Sequence, residues 1–600
     1  MTVTTLPGDS LDLQTLQTAY AAGITPVAVL RRVLQRIDAA GDDHVWITRR
    51  PDADILRDAA ALGEDRRHLP LFGVPFAVKD CIDAAGLPTT AACPDFAYVP
   101  AQSATVVDRL IAAGAVLVGK TNMDQFATGL VGTRSPYGVP RNPFDAAFVP
   151  GGSSSGSAVA VASGLVSFAL GSDTAGSGRV PAAFNNLVGI KPTRGLLSNR
   201  GTVPACRSID CLSVFALTVD DAADVMAVVA GFDPGDPMSR AAPPGFSPRP
   251  VPPPARFRFG VPQPAQLRFF GDAEAARLFD EAVARMERLG GTAVPIDFAP
   301  WTECAALLYG PFVAERTAAL TDRLRDRPDT LHPVTRGILT QGLGVSGVDL
   351  YLAQSQLAVL AQAIRPVWDA IDLLLVPTTG TAWRIADVDA DPVGRNSDLG
   401  IYTNFTNLLD LAAVAVPGGF KMGDFEAGGF PAGVTLIGPA WHDGVLAGYA
   451  RAMQQAAGLS LGATGVALPP GRADGPSAFP RVDIAVFGAH LDGQPLNPAL
   501  RALGGRFVRA CRTTASYRMV ALPGAIARPG LLPGSHAIKG EVWSLPSATV
   551  GAFLATIGPP LGLGTVQLDD GPCAGFICEA DGGDAPDISA FGGWRAYRAS

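Results

Sequence analysis

Cysteine and histidine are scarce in this 600-residue sequence, which holds eight Cys and six His. None of the cysteines forms a CxxC, and the pairs Cys206/Cys211 and Cys573/Cys578 are spaced more widely than zinc knuckles. Buried free thiols are the expected state. The histidines (His44, His68, His332, His442, His490, His536) are scattered and include no HExxH, so chemistry without metal or cofactor is expected. A basic stripe for phosphate backbones is also missing, and the net charge is only -8, which argues against nucleic acid as a primary partner. The first thirty residues lack a basic start followed by an apolar run, and nowhere do some 18 apolar residues follow one another. A soluble cytoplasmic protein with no membrane partner is the expectation.

What is present is an ordinary globular composition, 48% hydrophobic and 17% charged, with 68 Gly and 51 Pro supplying many turns. The length exceeds what one core supports, so two domains are predicted. Apolar residues at helical spacing from Leu11 to Ala39, interrupted near Gly23 to Pro26, predict two helices over about 10–40. The run LFGVPFAVK reads as a loop feeding a buried strand that ends in Lys79. In SATVVDRLIAAGAVLVGK, Ser103 reads as the cap of a helix that Gly114 stops before a strand. The small residues of SSSGSAVAVASG permit a tightly packed helix, and VSFALGSD reads as a buried strand ending at the turn that carries Ser177. This pattern is α/β. The Pro-rich stretch 233–255 reads as a surface connector, since FRFGVP after it is another strand. A second Gly/Pro-rich segment, 462–480, precedes short β-like runs and is taken as the linker between a domain at 1–461 and one at 481–600.

Three features then stand on strand ends or Gly-rich loops: Lys79 in AVKD, Ser153 in PGGSSSGSA, and Ser177 in GSDTAGSGRVPA. Taken singly each is weak, because a Gly/Ser loop can be a simple turn and a lone Ser a helix cap. A serine hydroxyl is a poor nucleophile near neutral pH and needs a base. A lysine serves only if burial keeps it neutral.

In combination these motifs, with FGVPFAVKDCID, VGKTNMDQFATG and GIKPTRG, resemble the amidase signature family over most of residues 10 to 460. The resemblance implies a central mixed β-sheet covered by helices. It also implies a triad in which Ser177 attacks, Ser153 relays the proton across a cis Gly152-Ser153 bond, and Lys79 accepts it. Backbone N–H groups of Thr174, Ala175, Gly176 and Ser177 would form the oxyanion hole, Gly151 and Gly152 would line the substrate, and Arg179 would brace the turn. Within that family DTAGSGRVPAAFNN, GTRSPYGVPRNPF, YTNFTNLLDLAAVAVPGGF and PAGVTLIGPAWHD resemble the allophanate hydrolase branch. Its substrate, allophanate, is a urea bearing a carboxylate and calls for a cation in the site. LLYGPFVAER resembles the branch's recognition segment, which places substrate contacts at Tyr309 and Arg316, although one residue is missing between the Tyr and the Gly.

From about Arg481 onward the chain resembles the C-terminal domain of that branch, an α+β domain with a γ-glutamylcyclotransferase-like fold. The resemblance implies that the first domain releases ammonia and leaves N-carboxycarbamate, whose decarboxylation the second assists, with His490 and Glu541 as candidates there. It further implies a homodimer and a urea carboxylase or biuret-producing pathway as the source of allophanate. No MKM biotin-attachment segment is present, so any carboxylase is expected to be separate. Competing readings are an amidase for other small amides, the amidase component of a tRNA-dependent amidotransferase, and a non-catalytic scaffold. All three triad side chains are present, which disfavours the last.

Overall fold

The computed structural model of the protein describes residues 10–472, 481–524, 526–578 and 586–598. These fall into two compact units. The first takes 10–242, 248–253 and 257–472; the second takes 243–247, 254–256 and the described residues from 481 onward.

Eleven strands form the sheet of the first unit: β1 (Trp46–Arg49), β2 (Pro75–Lys79), β3 (Val116–Thr121), β4 (Phe168–Asp173), β5 (Val188–Lys191), β6 (Cys211–Ala216), β7 (Phe257–Pro262), β8 (Gly291–Ile296), β9 (Leu373–Pro377), β10 (Leu411–Met422) and β11 (Gly429–Pro439). Their order is β1-β3-β2-β4-β6-β5-β10-β11-β9-β7-β8. The sheet is mixed: β2 runs parallel to β3 and β4, while β4, β6, β5, β10, β11 and β9 alternate in direction. Every residue of β2 and β4 is buried, which is why both open on unbroken apolar stretches, PFAV and FAL, rather than alternating ones. Phe76 faces Phe168 across the β2/β4 pair, and their rings stack 5.3 Å apart, which fixes the register. That register brings the carboxyl ends of two parallel strands side by side, where an open α/β sheet forms its crevice.

The expected N-terminal helices run Leu13–Ala21 and Pro26–Ala40 and bury Leu16, Leu30, Val33 and Ile37. Helix Ser155–Ala162 is wholly buried, and its small residues are required: a Cβ on Gly156 would run into the backbone at Val45 and Asn122. Two local expectations differ from the structure. Ser103 does not cap the following helix, which begins at Thr105 after an uncapped Ala104; its hydroxyl accepts instead from the Ala85 N–H, 3.0 Å away. Residues 462–472 are not linker but part of the first unit. The Ala463 N–H donates to the Ala162 carbonyl, and Arg472 pairs with Asp221 and Asp224. The Gly- and Pro-rich composition concealed those bonds. The rest of the expected linker, 473–480, lies outside the described residues.

In the second unit β12 (Arg481–Val486), β13 (Arg506–Arg512), β16 (Lys539–Pro546), β17 (Leu561–Leu568) and β18 (Gly571–Cys578) form a sheet of order β13-β16-β12-β18-β17, and β14 (Tyr517–Leu522) pairs with β15 (Arg528–Pro533). Helix Ser547–Leu554 packs on this sheet over a core that includes Ile484, Leu500, Trp543 and Phe576. The unit is α+β.

Candidate active site

Lys79 is the last residue of β2 and is fully buried, because the strand that carries it is covered on both faces. Its Nζ lies 2.7 Å from Ser153 Oγ, and Ser153 Oγ lies 2.9 Å from Ser177 Oγ. Three residues far apart in sequence thus make one continuous hydrogen-bonded line. Ser153 enters from the loop before helix Ser155–Ala162, through a cis Gly152-Ser153 peptide bond. Ser177 enters from the turn after β4. Gly152 is held close by neighbours: its N–H donates to the Leu130 carbonyl, and a Cβ there would overlap Asp124 Oδ2.

Burial pushes the Lys79 ammonium below its ordinary pKa, and the neighbouring acidic groups Cys81, Asp124, Asp210 and Asp173 oppose the shift without cancelling it. No carboxylate bonds directly to Nζ among the described residues. Its second neighbour is another hydroxyl, Ser172 Oγ at 2.9 Å. A buried amine surrounded by hydroxyls rather than by a paired acid is suited to accept a proton. Nothing in the sequence marks Ser172, which is one more small residue in a buried strand. Asp124, within the KTNMDQFATG motif, accepts the N–H groups of Gly132 and Arg134 on its carboxylate, and its own N–H donates to the Ser153 carbonyl. It therefore fastens the loop that carries Ser153.

The turn 174–177 is buried, and the N–H groups of Ala175, Gly176 and Ser177 meet no acceptor among the described residues. Gly176 has φ of 146°, and a Cβ there would clash with Thr403. Thr174 Oγ1 donates to Asp210, which also accepts the Ala205 and Cys206 N–H groups. Burial raises the Asp210 carboxyl, while these bonds hold it back. Below the turn, Arg179 Nε and Nη2 each donate to Asp173 at 2.9 Å, and Nη1 reaches Thr406. Burial alone would raise the Asp173 carboxyl, yet the guanidinium, Lys191 and the Gly178 N–H outweigh it and hold the group below its usual range. Removing one partner of such a pair strands the other charge. Arg179→Met is expected to destabilise the first unit by about 3–5 kcal/mol, read as a lowered thermal midpoint and denaturant midpoint with unchanged m-value.

Of the two expected substrate contacts, Arg316 is 2% exposed on helix Val313–Ala318, and its Nη1 donates to the Ala127 carbonyl at 3.1 Å and to Thr128 Oγ1 at 2.9 Å. Asp210 is an electrostatic neighbour of both Arg316 and Lys79, so this buried cation belongs to the neighbourhood of the serines. Tyr309, half-buried at the end of helix Ala299–Leu308, also acts on Arg316, and its hydroxyl has no partner among the described residues. Arg134, within the GTRSPYGVPRNPF motif, is a second buried cation beside both, donating to the Thr128 and Pro392 carbonyls.

In the second unit, His490 is buried in the turn after β12. Glu541 stands on β16 and is committed to structure: it accepts from the Asp492 N–H, the Trp543 indole and Arg595, and does not line the cavity that His490 lines. All eight cysteines are free thiols. Among the described residues no cluster of His, Cys, Asp or Glu is placed to hold a metal ion, and no helix is long and apolar enough to cross a membrane.

The Amidase family model matches residues 28–446, the span that carries the Lys-Ser-Ser line. The chain belongs to the amidase family. Its residues 482–599 match a second model, the allophanate hydrolase C-terminal domain. A urea amidolyase of Saccharomyces cerevisiae is 40% identical over 596 residues, 95% of this chain but 32% of that protein; the chain thus spans about a third of the length of the urea amidolyases it matches. A Kluyveromyces lactis allophanate hydrolase structure is 38% identical with a TM-score of 0.76, covering 98% of this chain and 99% of that one. One component of the glutamyl-tRNA(Gln) amidotransferase of Symbiobacterium thermophilum is 39% identical over 430 residues, 67% of this chain and 85% of that protein, and so aligns with only part of the chain. The fold is that of an amidohydrolase of this family, with a second, smaller unit appended.

Proposed function

We propose that the chain is an allophanate hydrolase whose first unit converts allophanate and water into ammonia and N-carboxycarbamate. The observation that carries the reading is the hydrogen-bonded line from Lys79 through Ser153 to Ser177, beside a buried arginine. Neutral Lys79 takes a proton from Ser153 as Ser153 takes one from Ser177, and Ser177 Oγ attacks the terminal carbonyl. The N–H groups of Thr174, Ala175, Gly176 and Ser177 receive the oxyanion. The proton returns through Ser153 to the leaving nitrogen, and water then releases the acyl group by the same relay. The carboxylate distinguishes allophanate from simple amides, and Arg316 with Tyr309 is the group that selects it. Gly151 and Gly152, where a Cβ would run into Pro181 and Asp124, line the substrate beside Ser153 with bare backbone.

The matched C-terminal domain supports allophanate over other amides, and the structure aligned over 99% of its own length is an allophanate hydrolase. The second unit assists decarboxylation of the product, with His490 as its candidate group. The reading extends to a cytoplasmic homodimer supplied with allophanate by a urea carboxylase or by biuret breakdown. Assaying ammonia release from allophanate, malonamide, biuret and acetamide tests it: allophanate should exceed the rest in kcat/KM. Equal turnover of acetamide overturns it. Arg316→Gln should raise KM for allophanate at least tenfold, about 1.4 kcal/mol, with little change toward biuret, which lacks the carboxylate.

A further inference from the structure

The second unit contains a cavity lined by His490, Arg528, Leu531, Ile557, Leu561 and Phe576. Gly488 makes it possible. A Cβ there would overlap the ring of Pro529, so only glycine lets the turn after β12 lie on the start of β15 and bring His490 beside Arg528. His490 is only 9% exposed, its ring edge-on to Phe553 at 5.1 Å and nearly parallel to Phe576 at 6.5 Å. Burial, with the positive charge of Arg528 adding to it, pushes the imidazole down to about 4. The ring is therefore neutral near pH 7 and carries one N–H and one lone pair.

Among the described residues neither ring nitrogen of His490 has a hydrogen-bond partner, and the Arg528 guanidinium has no carboxylate or carbonyl to bond to. A histidine buried to this degree for structure alone ordinarily spends its N–H on a carbonyl, and a half-buried arginine ordinarily finds an acid. Glu541 in the same unit shows the ordinary case, with both oxygens occupied. A cation and a polar ring thus face one apolar-walled space with their bonding capacity unused.

We infer that Arg528 anchors a small dicarboxylate at the mouth of this cavity of about 30 Å³, binding one carboxylate of the N-carboxycarbamate formed at Ser177 while His490 hydrogen-bonds the same molecule. The inference rests on the functional reading above and adds the residue that recognises the second substrate. A guanidinium fork matches a carboxylate in two parallel bonds. The apolar wall of Leu531, Leu561 and Phe576 then faces the other carboxylate, which loses less by leaving as neutral CO2 than by staying charged there. In that step the C–N bond breaks and its electron pair stays on nitrogen. Nitrogen takes a proton from water, giving CO2, carbamate and hydroxide, with nothing oxidised or reduced.

Malonate, a stable dicarboxylate of matching length, is the probe. It is titrated into the full chain carrying Arg316→Ala, with histidine labelled by nitrogen-15, and the ring signals of His490 are followed by NMR. Saturable shifts are expected, weakened at least tenfold by Arg528→Gln and less by Arg528→Lys, which also serves should the Gln variant fail to fold. Shifts of equal affinity with and without Arg528, or no response of His490 to malonate, would overturn the assignment. Kinetically, Arg528→Gln and His490→Ala should each lengthen the delay of CO2 behind ammonia. A delay in His490→Ala alone rejects Arg528 while the decarboxylating role of the unit stands; no delay in either variant removes that role as well.

Discussion

Ser177→Ala is expected to abolish ammonia release from allophanate, lowering kcat by on the order of 10⁶, about 8 kcal/mol of barrier. No other hydroxyl replaces it. Ser153 Oγ is 2.9 Å away but is occupied between Lys79 and Ser177, and Ser172 Oγ is bound at Lys79. The free N–H groups of the turn and the Arg316 guanidinium remain, so the variant should still bind allophanate, and binding by calorimetry should stay within a few-fold of wild type. That combination separates loss of a nucleophile from loss of the fold. A variant retaining a tenth of the activity would exclude Ser177 as nucleophile and direct attention to Ser153. Ser153→Ala is expected to fall by a similar factor, because residues that act as a unit do not contribute additively.

The line of Lys79, Ser153 and Ser177 was legible in the sequence because each sits in its own recognisable motif on a strand end or a Gly-rich loop. The parallel β2 and β4 that bring them together were legible as buried apolar runs. What the sequence hid depends on approach in space. Ser172 is one small residue in a buried strand until the β2/β4 register sets it against Lys79. Asp210 gains its place through contacts to Thr174 and to the N–H groups of Ala205 and Cys206, which no periodicity announces. Ser103 has the side chain of a cap, yet the competing Ala85 N–H takes its oxygen. Residues 462–472 have the composition of a linker, yet Arg472 is drawn to the acids of helix Val219–Val229. Arg528 carries no motif at all; only the clash that forbids a side chain at Gly488 places it beside His490.

Lys79→Met should cost about as much as losing the nucleophile, and Lys79→Arg should be equally inactive. The second variant decides what the lysine does. Arginine keeps the positive charge and can donate to Ser153, but it does not lose its proton at any pH the protein survives. Were Lys79 a structural cation, Lys79→Arg would preserve much of the activity; as a base it cannot be replaced this way. The pH profile gives an independent reading. Activity requires the neutral amine, which prevails above the folded-state pKa, so kcat/KM should fall with unit slope as pH drops through that value. Because burial lowers the value, the acid limb should lie well below the ordinary lysine range, and activity should persist near neutral pH. A limb at the ordinary lysine pKa would mean that the amine is solvated when it works, and proton acceptance by Lys79 in a dry site would be excluded. With the buried limb and an inactive arginine variant together, the Lys79 amine is left as the group that draws the proton from Ser177 through Ser153.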